Sequence, residues 1–204
     1  LGSGWYQHTP LGYQATKPPL AAWLSAGLYA LTGSWDLAWR LPSFLAALAL
    51  LGMLYREGSR TLGRTGGVLA AAAFGLNLFS MRLATLVRTD MLLAFLIFLA
   101  GAQILRHVES GRAWSLGERV GLGLLMLMTL FLKGPVIYAF LLPSWVIFAI
   151  LRARTGGRAA WSGAAACILP LLPFIAWAAM GSVLNRAFYD QVVRREFLCN
   201  FVRV

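Results

Sequence analysis

Apolar residues gather along this chain in long runs, each bounded by arginine, lysine, glycine or proline. A helix crossing a bilayer needs roughly 20 such residues at about 1.5 Å rise each. The pattern therefore predicts an all-α, polytopic integral membrane protein with about six transmembrane helices, near 40–55, 65–82, 90–106, 116–132, 135–151 and 160–183. A seventh apolar stretch, 18–33, would make a helix of only about 24 Å and carries or adjoins Trp23, Tyr29, Trp35 and Trp39. It reads as a helix lying at the membrane surface. The final segment, NRAFYDQVVRREFLCNF, mixes apolar and charged residues at helical spacing and reads as an amphipathic tail. The expected organisation is thus an outer-loop end and interfacial helix (1–39), the transmembrane helices (40–183) and the start of an outer loop (184–204).

Loop charges orient these segments. With 18–33 off the membrane, one side holds Arg56, Arg60 and Arg64, then Arg106, Arg112 and Arg119, then Arg152, Arg154 and Arg158. That side is cytoplasmic by the positive-inside rule. The other side carries Arg82 and Arg88 in one connection, Lys133 in another, and Lys17 and Arg40 before the first span. The tail arginines, Arg186, Arg194, Arg195 and Arg203, also fall there.

Composition agrees with a life in lipid: 204 residues are 59% hydrophobic and 12% charged, and mean hydropathy is +0.70. The net charge of +11 is spread one or two residues at a time. A nucleic-acid face would need a clustered stripe, so the charge reads as topology plus an anionic ligand. Cys167 and Cys199 have neither metal nor disulfide-framework spacing, and His8 and His107 fall on opposite predicted sides. The chain begins at Leu1 without a signal peptide and stops after Val204 without a closing feature. An internal fragment of a longer protein is the expectation.

Candidate chemistry collects on the predicted outer side. In KPPLAAW, Lys17 stands before two prolines; the first pushes Lys17 into extended geometry, and proline suits a helix's first turn. An ammonium beside free helix N–H groups suits a phosphate, and a lysine snorkelling to the headgroups is the alternative. Asp90, in LVRTDMLLAF, is the only acid in the outer connections between spans. It is either a functional carboxylate or, with Thr89, part of a helix cap. Arg88 is a phosphate ligand or a partner of Asp90. Lys133 precedes Gly134-Pro135; a helix starting near Val120 would leave it below the membrane surface, and one starting near Trp114 would bring it to the headgroups. Arg40 and Arg82 are interface anchors or further members of a cationic set around a polyanion.

In order, KPPLAAWL, WRLPSFLAALALLG, a short Arg-rich turn, RLATLVRTDMLLAFL and LFLKGPVIYAFLLP resemble the bacterial GT-C glycosyltransferases. The resemblance is to the protein-mannosyltransferase-like branch that includes the lipid A aminoarabinose transferase, and it runs from about Trp5 to the tail. It implies a multi-pass enzyme of the bacterial inner membrane that takes a sugar from a polyprenyl-phosphate donor at the extracytoplasmic face. The acceptor would be a lipid A-like lipid or another glycan. On this likeness Lys17 would contact the donor phosphate, Asp90 would be the acid at the outer end of its helix, and Lys133 would stand near the same cavity. The family's first outer loop, with the acidic motif that serves as general base or metal anchor, has no counterpart here, which leaves a divalent metal ion an open expectation. A protein acceptor, or a transporter or flippase of anionic lipid-linked substrates, are the alternatives.

Overall fold

The structure is a computed structural model that describes residues 18–86, 88–110, 112, 114–154, 164–184, 186–190 and 192–194. Lys17 with the rest of the predicted outer-loop end, the first residues of the sixth predicted span (160–163) and the end of the tail (195–204) lie outside the described residues. Every regular element described is a helix. Three helical stretches, Trp35–Gly75, Asp90–Ser110 and Ala165–Leu184, are long and apolar enough to cross a membrane. The chain forms two compact units, Ala21–Phe98 and Leu1–Leu20 with Leu99–Val204.

The first unit holds α1 (Leu20–Thr32), α2 (Trp35–Gly75), α3 (Leu78–Thr85) and the first half of α4 (Asp90–Ser110). Pro18 and Pro19 are buried ahead of α1. That helix ends where Gly33 turns to φ 66° and donates its N–H to the Tyr29 carbonyl at 2.8 Å. Tyr29 then stacks on Trp35 at 4.1 Å, and Trp35 on Trp39 at 6.2 Å.

Within α2, Gly63 (φ 74°, ψ 176°) breaks the helix into two arms, 35–62 and 64–75. A residue with a Cβ would be strained there. The arms fold back on each other, and glycine lets their backbones touch: a Cβ added at Gly67 would overlap the Ser59 hydroxyl and lie 2.6 Å from the Tyr55 carbonyl. One added at Gly58 would lie 3.0 Å from the Gly67 Cα, and one at Gly75 3.2 Å from Leu51. Between helices in lipid, such close approach supplies the attraction that water exclusion supplies elsewhere. The second arm stops at Gly75, short of the predicted 65–82, because Asn77 leaves the helix to cap the next one. Its Oδ1 accepts from the N–H groups of Phe79 (2.8 Å) and Ser80 (3.4 Å). Hydropathy carried the predicted span across this residue; an Asn gains more at an N-cap than inside a helix. Ala46, Leu50 and Met91 form the unit's core, with Leu54, Phe74, Leu83 and Phe95 packed around it.

The second unit takes the rest of α4 and adds α5 (Leu116–Lys133), α6 (Val136–Arg154), α7 (Ala164–Ile168), α8 (Leu171–Leu184) and α9 (Arg186–Phe188). A capping box starts α5: the Ser115 hydroxyl accepts from the Glu118 N–H, and the Glu118 carboxylate accepts from the Ser115 N–H at 2.8 Å. Gly134 (φ 77°) ends it. The Gln103 amide donates to the Glu118 carbonyl at 2.8 Å, which ties α4 to α5. Phe188, the last residue of α9, and Val192, in the π-type turn that follows, turn inward onto Leu130, Phe174 and Trp177, while Asp190 and Arg194 stay exposed. Phe188 meets Trp177 edge-on at 5.3 Å and lies over Gly181, where an added Cβ would stand 2.6 Å from the ring.

Three glycine substitutions have distinct expected outcomes for the purified protein in detergent. Gly67→Ala should lower the melting temperature by an amount equivalent to about 1–3 kcal/mol, the usual cost of overpacking. Gly52→Ala should hold or raise it, because a Cβ at Gly52 meets nothing within 4 Å and Ala favours the helix. In the other unit, Gly181→Ala should destabilise, and adding Phe188→Leu should recover part of the loss; equal melting temperatures for Gly181→Ala and the parent would contradict the packing described.

Candidate active site

About 20 residues of helix separate Ser43 from Gly63, or roughly 30 Å, the thickness of a bilayer's hydrocarbon core. The two ends of the α2 arm therefore suit the two membrane surfaces. Arg56, Arg60 and Arg64 are exposed around the Gly63 turn. At the opposite end the chain returns from α3 through an extended stretch, and there the Ser43 hydroxyl donates to the Arg88 carbonyl at 2.7 Å. This bond joins the RLPS and RTD segments, which lie 45 residues apart in sequence.

Around it is a small pocket of about 60 Å³, lined by Ser25, Trp39, Pro42, Ser43, Arg88 and Thr89, with Ala21 and Leu92 closing the sides. Ser25 and Ser43 are almost fully buried, at 2% and 3% exposure. Pro42 lies within α2 and has no N–H to offer the Ala38 carbonyl, so backbone polarity is added to the hydroxyls here. A pocket of this size admits one or two water-sized groups, such as part of a phosphate, and is far below the roughly 300 Å³ at which small-molecule sites begin. It forms a corner of a site.

The Arg88 side chain is exposed at this corner, and its backbone N–H is held by the Leu86 carbonyl at 2.8 Å. Asp90 is the half-buried first residue of α4. The Thr89 carbonyl accepts the first helical bond, from Leu93 at 2.9 Å, so Thr89 occupies the cap position and Asp90 the first helical one. A carboxylate there meets the helix's positive end. Arg40 is exposed and paired with Asp36 one turn back at 2.8 Å, which matches its charge locally. Arg82 is exposed in the last turn of α3, where cations complement the helix dipole.

Arg88 and Asp90 are thus brought to the RLPS segment, with Arg40 two residues before Pro42 on the same stretch of α2. Lys133 is the half-buried last residue of α5 in the other unit. Because α5 begins at Leu116, its 18 residues make about 27 Å, close to a full hydrocarbon thickness. A short helix therefore does not hold Lys133 below the surface. Sequence reasoning passed over Ser25 and Ser43; their one signal was a hydroxyl within an otherwise apolar helical run. Among the described residues no three His, Cys, Asp or Glu side chains gather as a metal site.

Comparison with curated proteins and with solved structures finds no match. A family model does: the one described as dolichyl-phosphate-mannose-protein mannosyltransferase covers residues 16–177 and so takes in α1, the RLPS and RTD segments and the Lys133 turn. The family is one of membrane glycosyltransferases that draw on a sugar linked to a lipid phosphate. On the strength of a match over most of its length, the chain belongs to the dolichyl-phosphate-mannose-protein mannosyltransferase family.

Proposed function

We propose that this chain is part of an inverting GT-C glycosyltransferase of the bacterial inner membrane, from the branch that includes the lipid A aminoarabinose transferase. It moves a sugar from a polyprenyl-phosphate donor to an acceptor at the extracytoplasmic face, that acceptor being a lipid A-like lipid or another glycan. The observation that carries this reading is the Ser43–Arg88 hydrogen bond, which holds the backbone of the RTD segment, and with it the exposed Arg88, at a small pocket lined in part by hydroxyls. Six spans with α1 at the outer surface suit this reading, since the Arg-rich Gly63 turn then faces the cytoplasm.

In the reaction a base deprotonates the acceptor hydroxyl, the oxygen attacks the anomeric carbon, and the bond from that carbon to the phosphate oxygen breaks. On the family likeness the base is an acidic residue of the family's first outer loop. Arg88 takes up the phosphate's growing charge with paired donors, in a setting of low dielectric where such a contact is strong. On the family likeness Lys17 and Lys133 are further candidates to meet the donor phosphate, and Arg40 and Arg82 attract the anion from the rim. Asp90 faces the positive charge that develops on the sugar. A divalent metal ion would draw its carboxylates from outside the described residues. The family's description names a protein as acceptor, and this is the second reading.

The test uses the full-length enzyme in membranes with a polyprenyl-phosphate sugar. Arg88→Ala should lower transfer at limiting donor by about 10- to 100-fold, the worth of a charge-assisted hydrogen bond, and Arg88→Lys by less. Undiminished transfer by Arg88→Ala would overturn the assignment. For Asp90, the two roles separate with Asp90→Asn: a catalytic carboxylate predicts a fall in kcat of about 100-fold or more with an unchanged melting temperature, whereas a purely capping residue predicts full activity with at most about 1 kcal/mol lost. Ser43→Ala should cost about 1 kcal/mol of stability and raise KM for the donor, because it releases the Arg88 backbone.

A further inference from the structure

Away from that corner, toward the Gly63 turn, the two arms of α2 leave an open groove of about 640 Å³ between them. Gly52 and Tyr55 form one wall, Val68, Ala72 and Gly75 the other, and Leu76 lies at the far end. The lining is almost wholly apolar, and the small residues leave depth where larger ones would have filled it. From Val68 to Leu76 the groove follows about 12 Å of helix, less than half the hydrocarbon thickness.

Charge stands at only one end. Residues four apart share a face of a helix, so Gly52 is followed on its own face by Arg56 and then Arg60. On the second arm, Ala72 and Val68 are preceded on theirs by Arg64. Both walls of the groove therefore run into arginines at the Gly63 turn. Arg56 and Arg64 are exposed. Arg60 rests on Glu57 at 3.7 Å, and Glu57 is the carboxylate on the same turn. Tyr55, whose ring is apolar and whose hydroxyl is polar, stands where groove and arginines meet, as tyrosines do at headgroup level.

We infer that this groove binds an anionic glycerophospholipid of the leaflet on the Gly63 side, with one acyl chain between the arms and the phosphate held by Arg56 and Arg64. A neutral lipid would fill the groove equally well and would leave the arginines unmatched. A packed protein helix would use the groove's depth but gain nothing from them. The anionic lipid satisfies both features at once, and each arginine near a membrane surface contributes roughly a fivefold preference. Arg56 lies about 20 Å of helix from Ser43 and Arg64 farther still, so the phosphate held there takes no part in the transfer reaction. The lipid would instead brace the two arms of α2 in the leaflet opposite the catalytic corner.

The test uses the full-length protein in nanodiscs of equal phosphatidylglycerol and phosphatidylcholine with matched chains, and measures the lipid retained after extraction. Phosphatidylglycerol should be retained in preference. Arg56→Gln with Arg64→Gln should reduce that preference by roughly tenfold or more. Gly52→Leu leaves the arginines in place and puts a side chain into the groove from a position where a Cβ has nothing within 4 Å. It should release the bound lipid, while in lipid-free detergent, where no lipid braces the arms, its melting temperature should match the parent's. Equal retention of the two lipids, or retention untouched by either variant, would overturn the proposal. So would a Gly52→Cys variant that forms a disulfide with a second copy, because a protein would then occupy the groove.

Discussion

The touching of backbones across Gly63 is the contact from which the first unit's geometry follows. Gly67 sits so close to Ser59 and Tyr55 that no Cβ fits, and that approach sets the antiparallel register of the two α2 arms. Leu51 and Gly75 stand equally far from Gly63 along their arms and meet as the register requires. Continued upward, it returns the chain through α3 to the level of Ser43. There a single hydroxyl bond fixes the RTD segment in place. Lipid makes the contact decisive, for between apolar helices only close packing and hydrogen bonds distinguish one arrangement from another.

The same hairpin separates two kinds of cation. At the Gly63 turn, Arg56, Arg60 and Arg64 are crowded on exposed positions, as expected of residues that hold a loop on one side of a membrane. At the other end, the positive charges differ in their surroundings. Arg40 is matched by Asp36 in an exposed pair worth only a few tenths of a kcal/mol, and it is tied locally. Arg88 is held by its backbone on both sides, at the Leu86 carbonyl and the Ser43 hydroxyl, so its side chain leaves a fixed base and reaches outward beside a polar corner. On the proposed reading, a lipid-linked phosphate is the partner of that guanidinium.

The second unit is built on a different principle. Its centre is an aromatic cluster, with Phe174 and Trp177 of α8 enclosing Phe131 of α5 and Phe188 beyond the helix end. Gly181 gives Phe188 room to lie down on α8, and Val192 one turn later closes the patch. The apolar side of the tail's first residues is therefore spent on protein, with Asp190 and Arg194 left on the outside.

The sequence by itself determined the all-helical class, the apolar runs and the Arg-rich turn at 56–64, because hydrophobic length and charge position act through the membrane without any need for a neighbour. It also showed that Arg88 and Asp90 stand at a helix start, since a polar break before an apolar run is a local signal. Tertiary structure decided what depends on two segments meeting. The break at Asn77 was hidden because capping a helix competes with continuing one, and hydropathy does not register that competition. The partnership of Ser43 with Arg88 was hidden because a serine in an apolar helix declares its partner only when the fold brings one. Lys133 went the other way: its case rested on a short helix, and the capping box at Ser115 lengthened that helix to a membrane's thickness. Pattern along one chain fixes which segments enter lipid; the close approach of glycines fixes which of their few polar groups face each other.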